Sequence, residues 1–137
     1  MKKKLGQSEH LEYWLRANGI FEIAPAHGSS KTKEIGLEEA KYSLSLQKAC
    51  FEETGKKVRI IANLANMSNV SKPARDYGKT EEGKEIKKYV RAYALVAPNL
   101  FGRLVGNMLV GSFKTDYPVK LFATEEKAEK WLLSLED

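Results

Sequence analysis

The chain has little of what most protein chemistry requires. Among 137 residues there are two histidines and one cysteine. The lone Cys50 allows no internal disulfide and fits a reducing compartment, although the same count would suit a small exported protein. It lies inside a helical pattern, where a buried thiol is expected rather than a nucleophile. His10 and His27 form no His-x-x-x-His pair, and a metal site would need both of them plus carboxylates gathered by the fold. No serine or cysteine has a base signalled beside it. The two Gly-Lys dipeptides, in ETGKK and EEGKE, lack the upstream glycine and the following Ser or Thr of a phosphate loop. No catalytic residue, metal or cofactor is therefore expected, and the protein is not expected to be an enzyme. Long apolar runs are missing too: none approaches the roughly 20 residues of a membrane span, so stable membrane insertion is not expected. The N-terminus, MKKKLGQSEH, lacks the apolar stretch of about 7 residues that a signal peptide needs, and is expected to stay on the mature chain in the cytoplasm.

The charge balance is also thinner than it looks. Of the formal +5, three units belong to Lys2, Lys3 and Lys4. The remainder carries +2, with acids and bases interspersed in segments such as TEEGKEIKKYVR, the pattern of a solvated surface. No basic face with interleaved aromatics stands out, so a nucleic acid is not an expected partner. Residues 1–9 are expected to form a flexible basic tail and residues 10–137 a single domain, long enough to bury a sizeable core.

What is present is a series of short apolar runs alternating with helical patterns. LEYWLRANGIFEIAP, from Leu11, reads as two strands around Asn18-Gly19, a dipeptide that suits a type I′ hairpin turn. A loop follows, with Lys31 to Ile35 extended. After Gly36 the segment LEEAKYSLSLQKACFEE keeps helical spacing through Leu37, Ala40, Leu44 and Phe51, and Gly55 ends it. KVRIIANL, residues 57–64, reads as a buried strand. Thr80 is the expected N-cap of a helix running to about Arg91, and Tyr93 to Ala97 is a second buried strand. NLFGRLVGNMLVGSF, residues 99–113, reads as a helix. Val119 to Phe122 is a last strand, and Thr124 caps a last helix in which Ala128, Trp131, Leu132 and Leu135 form one apolar stripe. Strands alternating with helices imply mainly parallel pairing, with the hairpin at one edge.

The second half carries a recognisable texture. YALVAPNLFGRLVGNMLVGSF followed by YPVKLFATEEKAEKWLLSL resembles the C-terminal half of small bacterial proteins with the SpoIIAA-like fold, that of STAS domains: an alanine-rich strand, a helix bearing Arg and Asn, a Pro-containing strand ending in Phe, and a closing helix with Ala and Trp-Leu. The preceding SKPARDYG is similar to the matching segment of an uncharacterised branch of that group. The resemblance implies an α/β fold with an SpoIIAA-like mixed sheet, an N-terminal β-hairpin, then strand-helix alternation with about four helices. It also implies a non-enzymatic binding or regulatory module in bacteria that acts through protein-protein interaction. Related CRAL/TRIO proteins imply an alternative, a carrier or sensor of a small apolar or lipid-like ligand. In the anti-sigma-factor antagonists a serine after an aspartate is phosphorylated; here Ser71 follows Val70, which leaves it a weak phosphoacceptor candidate.

Two segments collect the candidate binding residues. NLANMSNVSKPARDYG, residues 63–78, reads as a polar loop leaving the C-terminal end of a strand, where ligands bind in parallel sheets. Asn66, Ser71, Arg75 and Asp76 are its candidates. Arg75 could fork onto a carboxylate or phosphate, or pair internally with Asp76. The plain alternative is a loop whose Asn and Ser side chains cap its own backbone. In the helix beginning at Asn99, Asn99, Arg103 and Asn107 are spaced by four and share a face. Gly102 and Gly106 there cost about 1 kcal/mol each relative to alanine, which suits close backbone packing or a homodimer contact. The expected partner is a protein that meets the surface formed by residues 66–78 and this helix.

Overall fold

The computed structural model describes residues 2–26, 33–64, 67–97, 103, 107 and 117–136. Strands β1 (Lys3–Gln7), β2 (Leu11–Leu15), β3 (Phe21–Pro25), β5 (Val58–Asn63), β7 (Val90–Val96) and β8 (Val119–Phe122) form one sheet in the order β1-β2-β3-β5-β7-β8. The first three run antiparallel, and β3, β5, β7 and β8 are mutually parallel. A separate parallel pair joins β4 (Lys33–Ile35) to β6 (Met67–Val70). The helices are α1 (Leu37–Thr54), α2 (Lys72–Tyr77), α3 (Glu81–Lys84), α4 (Ile86–Tyr89) and α5 (Glu125–Ser134).

Both faces of the parallel part are covered, which is why β5 and β7 read as nearly continuous apolar runs. Val58, Ile60, Ala62 and Leu64 turn to the face beneath α1, while Ile61 turns to the opposite face with Ala92, Ala94 and Val96. On that second face α5 presents Ala128 and Leu132, both fully buried, and Trp131, whose ring lies 5.4 Å from that of Phe122. The expected apolar stripe is thus the packing face of α5, and the alanines of β7 leave room for it. Two arginines secure the far end of the helix: Arg59 Nη2 donates to the Leu135 carbonyl at 2.8 Å and Arg91 Nε to the Glu136 carbonyl at 2.7 Å. Helix ends leave such carbonyls without intrahelical partners.

Several local expectations need correction. Residues 3–7 are not a flexible tail but an edge strand. Leu5 packs on the core, Lys2 Nζ donates to Glu22 Oε2 at 2.9 Å, and Lys2 and Lys4 both lie over the Trp14 ring. Gly6 permits the contact with α1, since a β-carbon there would overlap the Tyr42 hydroxyl. The hairpin exists, but its turn is not type I′. Only Gly19 has positive φ (87°), and Gly19 N–H donates to Arg16 O while Arg16 N–H donates to Ile20 O. That is a three-residue loop, a type I turn closed by a left-handed glycine.

The polar segment 63–78 is not one loop either. It holds β6 and α2, because Met67–Val70 finds a partner in β4 and Ser71 caps the helix that follows. The helix expected from Thr80 to about Arg91 is broken at Glu85 into α3 and α4, and β7 begins at Val90 rather than Tyr93. Of the helix expected over residues 99–113, Arg103 and Asn107 are helical and exposed; its other residues lie outside the described ones.

Candidate functional site

Between α1 and the sheet lies a cavity of about 430 Å³, floored by Leu11, Ile23, Ala62, Leu64, Tyr93 and Leu95 of the strands. Its roof is α1, through Glu39, Ala40, Ser43, Leu44 and Gln47, and its sides come from α2, α3 and α4, with Lys84 and Lys87 at the exposed edge. Small-molecule sites span about 300–1,000 Å³, mostly apolar with a few placed polar groups. An apolar hole of about 150 Å³ already holds benzene. Such a volume is suited to an occupant.

The polar groups in this wall arise from one helical period. Glu39, Ser43 and Gln47 are spaced by four and so lie on the face of α1 that also buries Leu44 and Cys50. Glu39 Oε2 accepts from Ser8 Oγ at 2.5 Å and from the His10 N–H at 3.0 Å, tying the β1–β2 turn to the helix. Ser8 also meets the Tyr13 hydroxyl at 3.2 Å; burial pushes that phenol up to about 12. Gln47, only 2% exposed, donates from Nε2 to Ser43 Oγ at 2.9 Å, while its Oε1 has no hydrogen-bond partner. On the floor, burial and the neighbouring Tyr117 and Tyr13 raise the Tyr93 pKa well above the usual tyrosine range, so its hydroxyl stays protonated. Burial also raises the Cys50 thiol, which makes it a poor nucleophile. Among the described residues, no three His, Cys, Asp or Glu side chains gather as a metal site would require.

The residues singled out from the sequence fall elsewhere. Ser71 is the N-cap of α2, its Oγ accepting from the Ala74 N–H at 3.2 Å. Asp76 pairs at 2.7 Å with Lys72, one turn earlier, and the hydrogen bond from Lys72 holds its carboxyl below the usual range. Arg75 is half-buried on the same short helix. The structure thus brings Ser71, Arg75 and Asp76 together on α2, and shows Arg103 and Asn107 one helical turn apart on an exposed face. Asn66 and Asn99 lie outside the described residues. Sequence reasoning missed Gln47, Ser43 and Glu39. The signal available was their repeat at four residues along the same stripe as Leu44.

The family model described as Domain of unknown function (DUF7793) matches residues 13–136. The chain belongs to this family. The fold of this DUF7793 chain is similar to that of an uncharacterized protein from the DUF3478 family with a SpoIIAA-like fold, from Shewanella loihica PV-4. The TM-score is 0.57 at 12% identity, over 93% of this chain and 98% of that one. At that identity the likeness shows the fold alone, and it matches the SpoIIAA-like mixed sheet expected from the resemblance of the second half of the sequence. No curated protein matches the chain. No described helix of the DUF7793 chain is long and apolar enough to cross a membrane.

Proposed function

We propose that this protein works by binding rather than by catalysis, and that what it binds is a small, mainly apolar molecule held between α1 and the sheet. The observation that carries this reading is the cavity of about 430 Å³, walled by aliphatic and aromatic side chains with only a few polar groups. It favours the carrier or sensor alternative over a purely surface-acting module. The wall also supports a non-catalytic role. Ser43 accepts from Gln47, and Glu39 is already engaged by Ser8 and His10, so neither forms a nucleophile-base pair facing the cavity.

The test is native mass spectrometry of the purified protein, together with thermal denaturation in the presence of primary alkanols from hexanol to dodecanol. We expect a one-to-one complex and a melting temperature that rises with ligand concentration, as mass action requires. An unliganded mass, with no alkanol moving the melting temperature, would count decisively against the reading.

A second reading rests on a different observation. Arg103 and Asn107 are exposed on one helical face, and Ser71, Arg75 and Asp76 cluster on α2. A regulatory protein partner, or a second copy of the chain, could meet the exposed face that carries Arg103 and Asn107. Under this reading Arg103→Ala weakens capture of the partner and leaves the melting temperature unchanged; a lowered melting temperature instead makes Arg103 structural.

A further inference from the structure

The floor of the cavity is apolar except at Tyr93. This residue sits on central strand β7, in register with Ile60 of β5 and Val119 of β8, and its backbone N–H donates to the Pro118 carbonyl at 3.0 Å. Its side chain leaves the sheet on the cavity side with Leu95, while Ala92, Ala94 and Val96 turn toward α5. The phenol lies deep in the protein, yet Tyr93 retains accessible surface, which is therefore surface of the cavity. Among the described residues its hydroxyl has no hydrogen-bond partner. The nearby Tyr13 differs, because its hydroxyl meets Ser8 Oγ at 3.2 Å. Most buried polar side-chain atoms are satisfied, and each exception calls for an explanation. Phenylalanine would fill the same position without leaving a donor bare. We propose that the cavity's ligand has an apolar body and a neutral hydrogen-bond acceptor, such as a ketone, ester or alcohol oxygen, and that Tyr93 Oη donates to it.

This inference rests on the reading of the cavity as a ligand site and names the atom that the ligand presents. The donor role follows from the protonation state. Burial, reinforced by Tyr117 and Tyr13, keeps the phenol protonated, so it always has an O–H to give. Neutrality follows from the same surroundings. A place that disfavours the phenolate chiefly by burial also disfavours a carboxylate brought in beside it. The strand that carries Tyr93 is paired on both sides, which fixes where the hydroxyl sits before any ligand arrives.

Calorimetric titration of the full chain and of Tyr93→Phe with 2-heptanone, 2-methyl-1-heptene and heptanoate decides the matter. The first two ligands share a shape and differ only in a carbonyl oxygen against a methylene, and the third carries charge. Tyr93→Phe keeps the ring and removes only the hydroxyl oxygen. It is expected to weaken 2-heptanone binding roughly tenfold, the scale of one buried hydrogen bond, and to leave 2-methyl-1-heptene within about twofold. Without ligand the variant should melt no lower than the wild type, since no hydrogen bond within the fold is lost. A ketone affinity that does not change, or both affinities falling alike, overturns the inference. A clearly lowered melting temperature in the absence of ligand also overturns it, because the hydroxyl then already serves the fold, directly or through water. Heptanoate binding more tightly than 2-heptanone overturns the neutral class. If none of the three binds, the cavity reading itself falls and the inference with it.

Discussion

Ala62 offers the most direct measurement of whether the cavity is real space. It sits on central strand β5, in register with Ile23 of β3 and Leu95 of β7, with its methyl group in the cavity floor. Ala62→Leu adds three carbons. At about 0.8 kcal/mol per buried methylene the gain is about 2.4 kcal/mol, from which about 1 kcal/mol of lost rotamer freedom must be subtracted. The net expectation is a stabilisation of about 1.5 kcal/mol, read as a rise of about 5 °C in the calorimetric melting temperature. The same substitution should weaken decan-1-ol binding at least tenfold, because it occupies the ligand's volume. Ala94→Leu is the matched control: Ala94 lies on the opposite face, fully buried against α5. With no space there, overpacking should destabilise by about 1–3 kcal/mol. If Ala62→Leu destabilises as Ala94→Leu does, and alkanol binding is unaffected, the floor is packed and the reasoning fails.

Four further outcomes follow from the geometry. Arg16 joins β2 to α5 by donating to Glu22 at 2.7 Å, Glu125 at 2.7 Å and Glu129 at 3.1 Å, so Arg16→Ala should lower the unfolding free energy by about 2 kcal/mol; a change under a few tenths would show the network to be idle. Burial alone would raise the Glu22 pKa, but hydrogen bonds from Lys2 and Arg16 outweigh it and hold the carboxyl below its usual range. Its contribution is therefore complete above the ordinary glutamate pKa of about 4.3 and lost as pH falls through the lower folded-state value. Urea midpoints for the wild type should drop more steeply below that pH than those for Glu22→Gln, and parallel curves would contradict the assignment. A methyl group at Gly83 would overlap the Tyr77 carbonyl oxygen, so Gly83→Ala should destabilise by about 2 kcal/mol despite alanine's better helix propensity; an unchanged urea midpoint would show that α2 and α3 can part without cost. Ser71→Ala should lose about 1 kcal/mol with the N-cap, whereas Ser71→Asp should keep it, and equal losses would show that the cap is not what holds α2.

The parallel core was legible because its signals are local and redundant. Val58–Asn63 and Val119–Phe122 fall where β-branched runs end in turn residues, and Gly55 and Thr124 bound their helices as expected. What escaped depended on partners distant in sequence. Lys3–Gln7 reads as a charged tail until Trp14 and Glu22 are beside it, and Met67–Val70 reads as loop until Lys33–Ile35 pairs with it. The turn at Gly19 was misassigned because Asn-Gly permits two positive φ values without requiring them. Polar residues drew attention to residues 63–78, where Ser71 and Asp76 satisfy their own helix. The more informative polar group was the Tyr93 hydroxyl, hidden in an apolar strand.

The placement of the cavity follows from how the chain crosses between β5 and β7. One long amphipathic helix there would lay a continuous apolar face on the sheet. The connection instead runs through α2, α3 and α4, of six, four and four residues, each too short to bury more than one or two side chains. The 18-residue α1 must then roof the sheet from the other crossover, and it carries Glu39, Ser43 and Gln47 where apolar residues would pack more stably. Glu39 is explained by Ser8 and His10, and Ser43 and Gln47 by each other; among the described residues the Tyr93 hydroxyl on the floor has no such account. A local rule broken beside a cavity points to function more strongly than either feature alone, because sequences that specify a fold depart from those rules mainly where something other than folding sets the residue.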